Sequence, residues 1–172
     1  MEQSRLDERI AALEDLNAIA TLKWRYLRAC DRKDVEAVRS CFAPDAVIDY
    51  EGFPLFTDPE SFVETFRQLG CRPNIIDMHH GQNPVIELTA PGAARGGFDC
   101  YFFQIDTDTR RQVQLAVSYD DEFVRAAGVW RISRSVSRRR SMLVQEIGED
   151  TLVRIAVAAR SDQPGPPPAA RA

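Results

Sequence analysis

The chain has 172 residues, of which 44% are hydrophobic and 28% are charged, a composition typical of one globular domain of about 150 residues with short ends. Its formal net charge of −4 gives no overall attraction for nucleic acid or anionic membranes, and no apolar run approaches the roughly 18 residues that span a bilayer. Because the first ten residues are too polar for a secretory signal, we expect a cytoplasmic protein with neither a nucleic-acid nor a membrane partner.

Two stretches in the first third of the chain, one long and one short, predict helices. Apolar residues recur at threes and fours from Leu6 to Leu27, which predicts one buried stripe on a helix that ends near Cys30. Asp15 could cap a second segment and so divide this helix in two. Asp34 can cap a short helix, VEAVRSCF, whose end we assign to the Ala-Pro pair before Asp45.

A third helix is marked at both ends. Asp58 stands at the cap position, Pro59 lies in the first turn, and Gly70 provides the stop. After Gly70 the apolar period changes from helical to two, which predicts strands. The predicted strands, the first of which precedes this helix, cover residues 46–51, 79–89, 97–106, 112–125 and 128–138.

Helices followed by a run of strands indicate an α+β fold with the helices packed on one face of a mostly antiparallel sheet. The tail after about residue 161, SDQPGPPPAARA, has no periodicity and no large apolar groups, so we predict that it is disordered. The four cysteines, Cys30, Cys41, Cys71 and Cys100, form no C-x-x-C pair. This spacing favours reduced structural thiols over disulfides or a metal site.

The only two histidines, His79 and His80, are adjacent on a predicted strand and should point to opposite faces. Strict alternation back from Ile86 and Leu88 places His80 inward. Pro84 disturbs that phase, because proline in a strand marks an edge or a bulge.

Other residues break the apolar patterns. Alternation puts Arg134 on the inner face of the last strand, where it needs a carboxylate partner or a ligand-filled pocket unless the strand end reaches solvent. Asp31 lies at a helix C-terminus, where the helix dipole disfavours an anion. The rings of Tyr50 and Tyr119 should point inward with hydroxyls that need partners, and each alone is more typical of a core than of a catalytic site.

Three segments together resemble the SnoaL-like family of the nuclear transport factor 2-like superfamily. They are RYLRACDRKDVEAVRSCFAPDAVIDYEG, MHHGQNPVIEL and VSYDDEFVRAAGVWRISR, and the resemblance covers about residues 8 to 138. More narrowly, they are similar to the scytalone dehydratase, bile acid 7α-dehydratase and hexachlorocyclohexane dehydrochlorinase enzymes. The resemblance implies a cone-shaped, curved mixed β-sheet with the N-terminal helices packed on its concave side. It implies a domain over residues 1–145 and a C-terminal extension over 146–172.

The resemblance also implies a site. It gives His79, rather than His80, the role of catalytic base and Asp31 the role of its partner. Tyr26 resembles a tyrosine of the bile acid enzyme, and Tyr50 resembles an active-site tyrosine of scytalone dehydratase. The remaining predicted substrate contacts are Arg134, Tyr119 and Asn83.

The sequence departs from these enzymes in places. Val117 and Tyr119 stand where the scytalone enzyme has serine and asparagine, and Tyr26 stands where the dehydrochlorinase has lysine. The lysine difference argues against a halide leaving group.

The predicted chemistry is a cofactor-independent dehydration. A neutral imidazole accepts a proton well near pH 7 when a carboxylate holds its other nitrogen, and the tyrosine hydroxyls could polarise a carbonyl or protonate a leaving oxygen. We therefore expect a lyase that acts on a small hydrophobic cyclic substrate and needs neither a metal nor another cofactor, in a homo-oligomer that is a trimer rather than a dimer. The alternatives are an isomerase or dehydrochlorinase on the same scaffold, and a cone that only binds a ligand. A nucleic-acid module on the short run Arg138–Arg140 ranks low, because no aromatic residues interleave it.

Overall fold

The computed structural model describes residues 2–148. Three helices and five strands follow one another as α1 (Glu2–Arg32), α2 (Val35–Ser40), β1 (Phe42–Tyr50), α3 (Pro59–Gly70), β2 (Ile75–Ala90), β3 (Ala93–Asp106), β4 (Arg111–Ala126) and β5 (Val129–Glu146). The predicted disorder after residue 161, and the extension from residue 149 onward, lie outside the described residues.

The five strands form one curved, open sheet with the order β1-β5-β4-β3-β2. β1 runs parallel to β5, and the other neighbours are antiparallel. The core lies between this sheet and the helices, so the predicted α+β class with a mixed curved sheet is confirmed. Within residues 2–148, no helix combines the length and the apolar character needed to cross a membrane.

α1 is one unbroken helix, so the helix break considered at Asp15 is wrong. The Asp15 side chain does not cap a second helix, because it accepts hydrogen bonds from Arg125 Nη1 at 2.6 Å and Trp130 Nε1 at 2.8 Å. These contacts attach the middle of α1 to the β4–β5 hairpin.

The first half of the predicted apolar stripe is exposed, and its second half is only partly buried. Leu6 is 46% exposed, Leu13 is 64% exposed, Trp24 is half-buried and Leu27 is buried. The most deeply buried face of α1 lies beside the predicted stripe, at Ile19 and Leu22. The sheet underlies the C-terminal turns of α1, and no other described element covers the first three turns. The periodicity therefore identified the helix correctly but overestimated how much of it the core reaches.

The two short helices begin at their predicted caps. Asp34 accepts a hydrogen bond from the Ala37 N–H, and Asp58 accepts one from the Ser61 N–H, each of which satisfies a free donor of the first turn. α2 ends at Ser40, earlier than the Ala-Pro pair, because Phe42 already pairs with β5.

A bulge in β2 decides which histidine faces inward. Gln82 pairs with Asp99 and Val85 pairs with Gly97, so Asn83 and Pro84 together oppose one residue of β3. Asn83 adopts a φ of 51°, in the left-handed region. The extra residue shifts the alternation, and the expectation that His80 points inward is therefore wrong: His80 is exposed and His79 is the inward residue.

A second bulge, in β5, changes the face of Arg134. Glu122 pairs with Arg134 and Phe123 pairs with Ile132, which leaves Ser133 as an extra residue. As a result the inner face continues from Ile132 to Ser135 instead of to Arg134. The strict alternation predicted for this strand is wrong at that position.

Gly81 allows α1 to pack closely on β2. A Cβ atom at this position would lie 2.3 Å from Trp24 Cζ3 and 2.6 Å from Leu27 Cδ1. Such distances are impossible without movement of both side chains, so the glycine sets how closely helix and strand approach.

We expect Gly81→Ala to lower the free energy of unfolding by about 1–3 kcal/mol through this overpacking. Urea denaturation monitored by tryptophan fluorescence would measure the change. Gly97→Ala is the matched control, because a Cβ there meets only the Tyr119 carbonyl oxygen at 3.9 Å. Equal stability of the two variants would contradict the proposed packing role.

Candidate active site

A cavity of about 340 Å³ lies between the inner face of the sheet and α3. Much of its wall is aromatic or aliphatic, and the residues that supply this apolar surface are Phe53, Phe62, Phe66, Leu69, Phe102, Val113, Leu115 and Val117. A hollow of this size and character suits a small, largely apolar ligand. Polar and charged side chains also reach the cavity, among them His79, three tyrosines, Asp77, Glu51 and Arg139.

His79 and Asp31 meet at the wall of this cavity. The His79 Nδ1 atom lies 2.7 Å from Asp31 Oδ1, and the His79 backbone N–H also donates to Asp31 at 3.0 Å. Both side chains are mostly buried, with 15% and 23% of their surface exposed. The backbone bond holds the carboxylate against the strand while the ring bond orients the imidazole.

The partner of Nδ1 determines the tautomer of the neutral ring. An ionised carboxylate can only accept, so Nδ1 carries the hydrogen and Nε2 keeps its lone pair. No described residue provides a hydrogen bond to Nε2, and His79 lines the cavity. The arrangement therefore provides a proton acceptor on the cavity side. It also explains the anion at the end of α1, because two hydrogen bonds compensate the unfavourable helix dipole.

Three tyrosines also reach the cavity: Tyr26 from α1, Tyr50 from β1 and Tyr119 from β4. The hydroxyls of Tyr26 and Tyr50 lie 2.9 Å apart. Burial raises the pKa of all three well above the ordinary tyrosine value. The three hydroxyls therefore keep their protons throughout the neutral range and act as neutral hydrogen-bonding groups.

A buried chain of hydroxyls continues from the cavity into the core. Tyr50 Oη lies 3.0 Å from Ser135 Oγ, which donates to Asp121 Oδ1 at 2.6 Å. We call the hydroxyls of Tyr26, Tyr50 and Ser135 the hydroxyl chain; it ends on Asp121.

Asp121 is one half of a fully buried ion pair. Its Oδ2 atom lies 2.7 Å from Lys23 Nζ, and both side chains are 0% exposed. Burial raises the pKa of Asp121, and the Lys23 charge and the Ser135 hydroxyl oppose that rise. The Lys23 ammonium also lies 3.5 Å from the centre of the Tyr119 ring, a cation–π contact.

The sequence interpretation missed Lys23, Asp121 and Ser135, although two of them left a detectable signal. Lys23 follows Ile19 by four positions and precedes Tyr26 by three, which puts a lysine within the buried stripe. Asp121 alternates with Tyr119 and is therefore on the inner face. A charge on each of two inward faces should have suggested a pair. Ser135 could not be found, because the bulge before it alters the alternation.

Two predicted contacts lie elsewhere. Arg134 is not among the cavity-lining residues. It lies near Asp49 on the neighbouring strand, where the hydrogen bond from Arg138 lowers the pKa of Asp49 and the charge of Arg134 adds a smaller effect in the same direction. Asn83 is exposed in the β2 bulge and donates to Asp99 Oδ2 at 2.9 Å. The structure brings the other five predicted residues, His79, Asp31, Tyr26, Tyr50 and Tyr119, into one region.

The rim of the cavity carries two further ion pairs. Asp77 lines the cavity and pairs with Lys33, and burial raises the pKa of Asp77. Arg139 and Glu51 also reach the cavity and lie 2.9 Å apart. Arg139 belongs to the basic run Arg138–Arg140 that was considered for nucleic-acid binding. Each arginine of that run has a guanidinium nitrogen no more than 3.9 Å from a carboxylate oxygen.

The cysteines near the cavity are buried thiols. Burial raises the pKa of Cys100 to about 11 and also raises the pKa of Cys30. Both groups are therefore protonated at neutral pH and act as part of the apolar wall. Cys71 is the least buried of the four, and all four are free. Within residues 2–148, no group of three or more histidine, cysteine or acidic side chains is arranged to hold a metal ion.

Residues 11–136 match the family model of the SnoaL-like domain. The chain belongs to the SnoaL-like family. This assignment confirms the resemblance drawn from the sequence and places the His79–Asp31 pair inside a known scaffold.

Solved structures of the same fold include enzymes. LinA is 20% identical, with a TM-score of 0.74, over 86% of this chain and 99% of LinA. A protein named as a scytalone dehydratase from Novosphingobium aromaticivorans is 21% identical, with a TM-score of 0.71, over 84% of this chain and 93% of that chain. The type 3 LinA hexachlorocyclohexane dehydrochlorinase of Novosphingobium barchaimii is 20% identical, with a TM-score of 0.68, over 90% of this chain and 100% of that chain. At these identities the similarity establishes that this SnoaL-like chain shares their fold.

Proposed function

We propose that this SnoaL-like protein is a cofactor-independent lyase that removes water from a hydroxylated cyclic or polycyclic small molecule. The observation that carries the proposal is the 2.7 Å contact between His79 Nδ1 and Asp31 at the wall of an apolar cavity. In the neutral imidazole this contact places the hydrogen on Nδ1 and leaves the Nε2 lone pair available to accept a proton from a ligand. The names dehydratase and dehydrochlorinase among the structural neighbours support an elimination on this scaffold.

In the proposed reaction, Nε2 removes a proton from a carbon next to a carbonyl group. The electron pair of the broken carbon–hydrogen bond forms a carbon–carbon double bond, and the bond to the β-hydroxyl breaks. The departing oxygen takes the proton back from the imidazolium and leaves as water, so the base is regenerated. One positioned acid–base group contributes about 10² to 10⁴ in rate, and orientation in the apolar cavity together with carbonyl polarisation supplies the rest.

The test is a screen of hydroxylated steroids, polyketides and aromatic precursors for the loss of one water by mass spectrometry. We expect at least one compound to lose water with the wild-type protein and to remain intact with His79→Gln. His80→Gln is the matched control, because that neighbouring ring is exposed and outside the cavity lining. Full turnover by a folded His79→Gln variant would refute the proposal.

A dehydrochlorination is the second candidate, and the similarity to LinA favours it. Chlorinated cyclohexanes added to the same screen, with chloride release as the readout, separate the two leaving groups. Tyr26 offers a neutral hydroxyl where the dehydrochlorinase resemblance gives a lysine. Dehydration therefore remains the first choice.

A further inference from the structure

The hydroxyl chain has a fixed direction, because each hydroxyl has only one hydrogen to donate. The carboxylate of Asp121 can only accept, so Ser135 donates to it. The hydrogen of Ser135 is then used, and Tyr50 must donate to Ser135. By the same reasoning Tyr26 donates to Tyr50.

This direction determines what Tyr26 offers to a ligand. Its hydrogen is directed at Tyr50, so the Tyr26 oxygen presents lone pairs to the cavity. Tyr26 can therefore accept a hydrogen bond from a ligand while the chain remains intact. It can donate to a carbonyl only after the chain is broken or reversed.

Tyr119 differs from the other two tyrosines. It lines the same cavity, and within residues 2–148 its hydroxyl makes no hydrogen bond. The Lys23 ammonium on the face of its ring draws electron density from the phenol and makes the O–H a stronger donor. Among the three tyrosines, Tyr119 is the one with a hydrogen available to a ligand.

We propose that the buried Lys23–Asp121 pair, by fixing the direction of the hydroxyl chain, selects hydroxy-ketone ligands: the ligand hydroxyl donates to Tyr26 and the ligand carbonyl accepts from Tyr119. This inference rests on the proposed lyase function only where it names a β-hydroxy ketone as the substrate. The hydrogen-bond pattern between ligand and protein can be measured without turnover. Asp121 and Ser135 are positioning residues, and Tyr26 and Tyr119 contact the ligand.

Isothermal titration calorimetry with three unreactive bicyclic probes tests the pattern. 2-Naphthol supplies a hydroxyl donor, 2-methoxynaphthalene replaces that donor by a methyl ether, and 1-tetralone has only a carbonyl acceptor. We expect wild-type protein to prefer 2-naphthol to its methyl ether by about five- to tenfold. Tyr26→Phe should abolish this preference and leave 1-tetralone binding unchanged, whereas Tyr119→Phe should weaken 1-tetralone binding by a similar factor.

Ser135→Ala tests the direction of the chain. Without the Ser135 oxygen, the Tyr50 hydroxyl has Tyr26 as its remaining partner and donates to it. Tyr26 is then free to donate to the cavity. The preference for 2-naphthol over the ether should disappear although Tyr26 is still present, and Ser135→Thr should restore it. Ser133→Ala, on the same strand and outside the cavity lining, should keep the wild-type preference.

The proposal is overturned if 1-tetralone binding depends on Tyr26 rather than Tyr119, if Ser135→Ala retains the wild-type preference, or if the wild-type protein binds neither 2-naphthol nor 1-tetralone. His79→Gln separates this proposal from the lyase function. Turnover by that variant tests the lyase function alone, whereas the probe preferences of Tyr26→Phe, Tyr119→Phe and Ser135→Ala test the hydrogen-bond pattern without turnover, so a failure of one proposal is visible without the other.

Discussion

Lys23→Met is expected to lower the free energy of unfolding by about 3–5 kcal/mol, because it leaves the Asp121 carboxylate buried without its counter-charge. Both side chains are 0% exposed, so solvent cannot replace the lost partner. Urea denaturation at pH 7, monitored by far-ultraviolet circular dichroism, measures the change.

The double variant Lys23→Met with Asp121→Asn provides the control. It removes both charges and keeps a side-chain oxygen that can accept from Ser135, so we expect it to regain at least half of the lost stability. A single variant as stable as the double variant would contradict the ion-pair explanation.

The loss of unfolding free energy in Lys23→Met should also depend on pH. Burial already raises the pKa of Asp121 in the folded protein, and loss of the Lys23 charge removes the main opposing effect. A carboxyl whose pKa is higher in the folded than in the unfolded state favours folding most when it is protonated. The loss should therefore be largest at neutral pH and shrink as the pH falls towards the ordinary range of aspartate, and denaturation curves at a series of pH values measure it.

Asp31→Asn is expected to reduce turnover of any substrate found in the screen by about 10² to 10⁴. An asparagine amide can donate to Nδ1, which favours the tautomer with the hydrogen on Nε2 and removes the base. The readout that distinguishes this role from a structural one is ¹⁵N NMR of the His79 ring at alkaline pH. We expect the hydrogen on Nδ1 in the wild-type protein and on Nε2 in the variant.

His80→Gln simplifies the spectrum, because it leaves His79 as the only histidine of the chain. A wild-type ring with its hydrogen on Nε2 would contradict the proposed role of Asp31. Thermal unfolding of Asp31→Asn serves as a check on folding, since Asp31 also accepts the backbone N–H of His79.

Local patterns predicted the element types well. The caps at Asp34 and Asp58 and the change of period after Gly70 are signals that lie within a few residues of the structures they specify. The contact between Asp31 and His79 is different, because it joins a helix end to a remote strand. The family resemblance supplied it, whereas alternation alone selected the wrong histidine.

The two errors about which strand residues face inward, at His80 and at Arg134, have one physical cause in common. The extra residue at Asn83–Pro84 in β2 and the extra Ser133 in β5 each reverse the inward and outward faces beyond them. Pro84 marked the first position without fixing which face followed, and the position of Ser133 had no local signal. The second bulge moved Arg134 out of the site and brought Ser135 into it. The Lys23–Asp121 pair was detectable in outline, because both residues occupy apolar faces, but neither pattern by itself identifies the partner.

The bulge at Asn83 and Pro84 has a consequence for the tolerance of this segment to changes in length. A deletion of one residue there would restore regular pairing and rotate the preceding part of β2 by one face, carrying the His80 ring into the cavity and His79 to the solvent. Insertions or deletions in the β4–β5 turn, where Ala127 and Gly128 adopt positive φ, would leave the histidine in place. The catalytic side chain proposed here is therefore specified by the number of residues between it and the following hairpin as much as by its own identity.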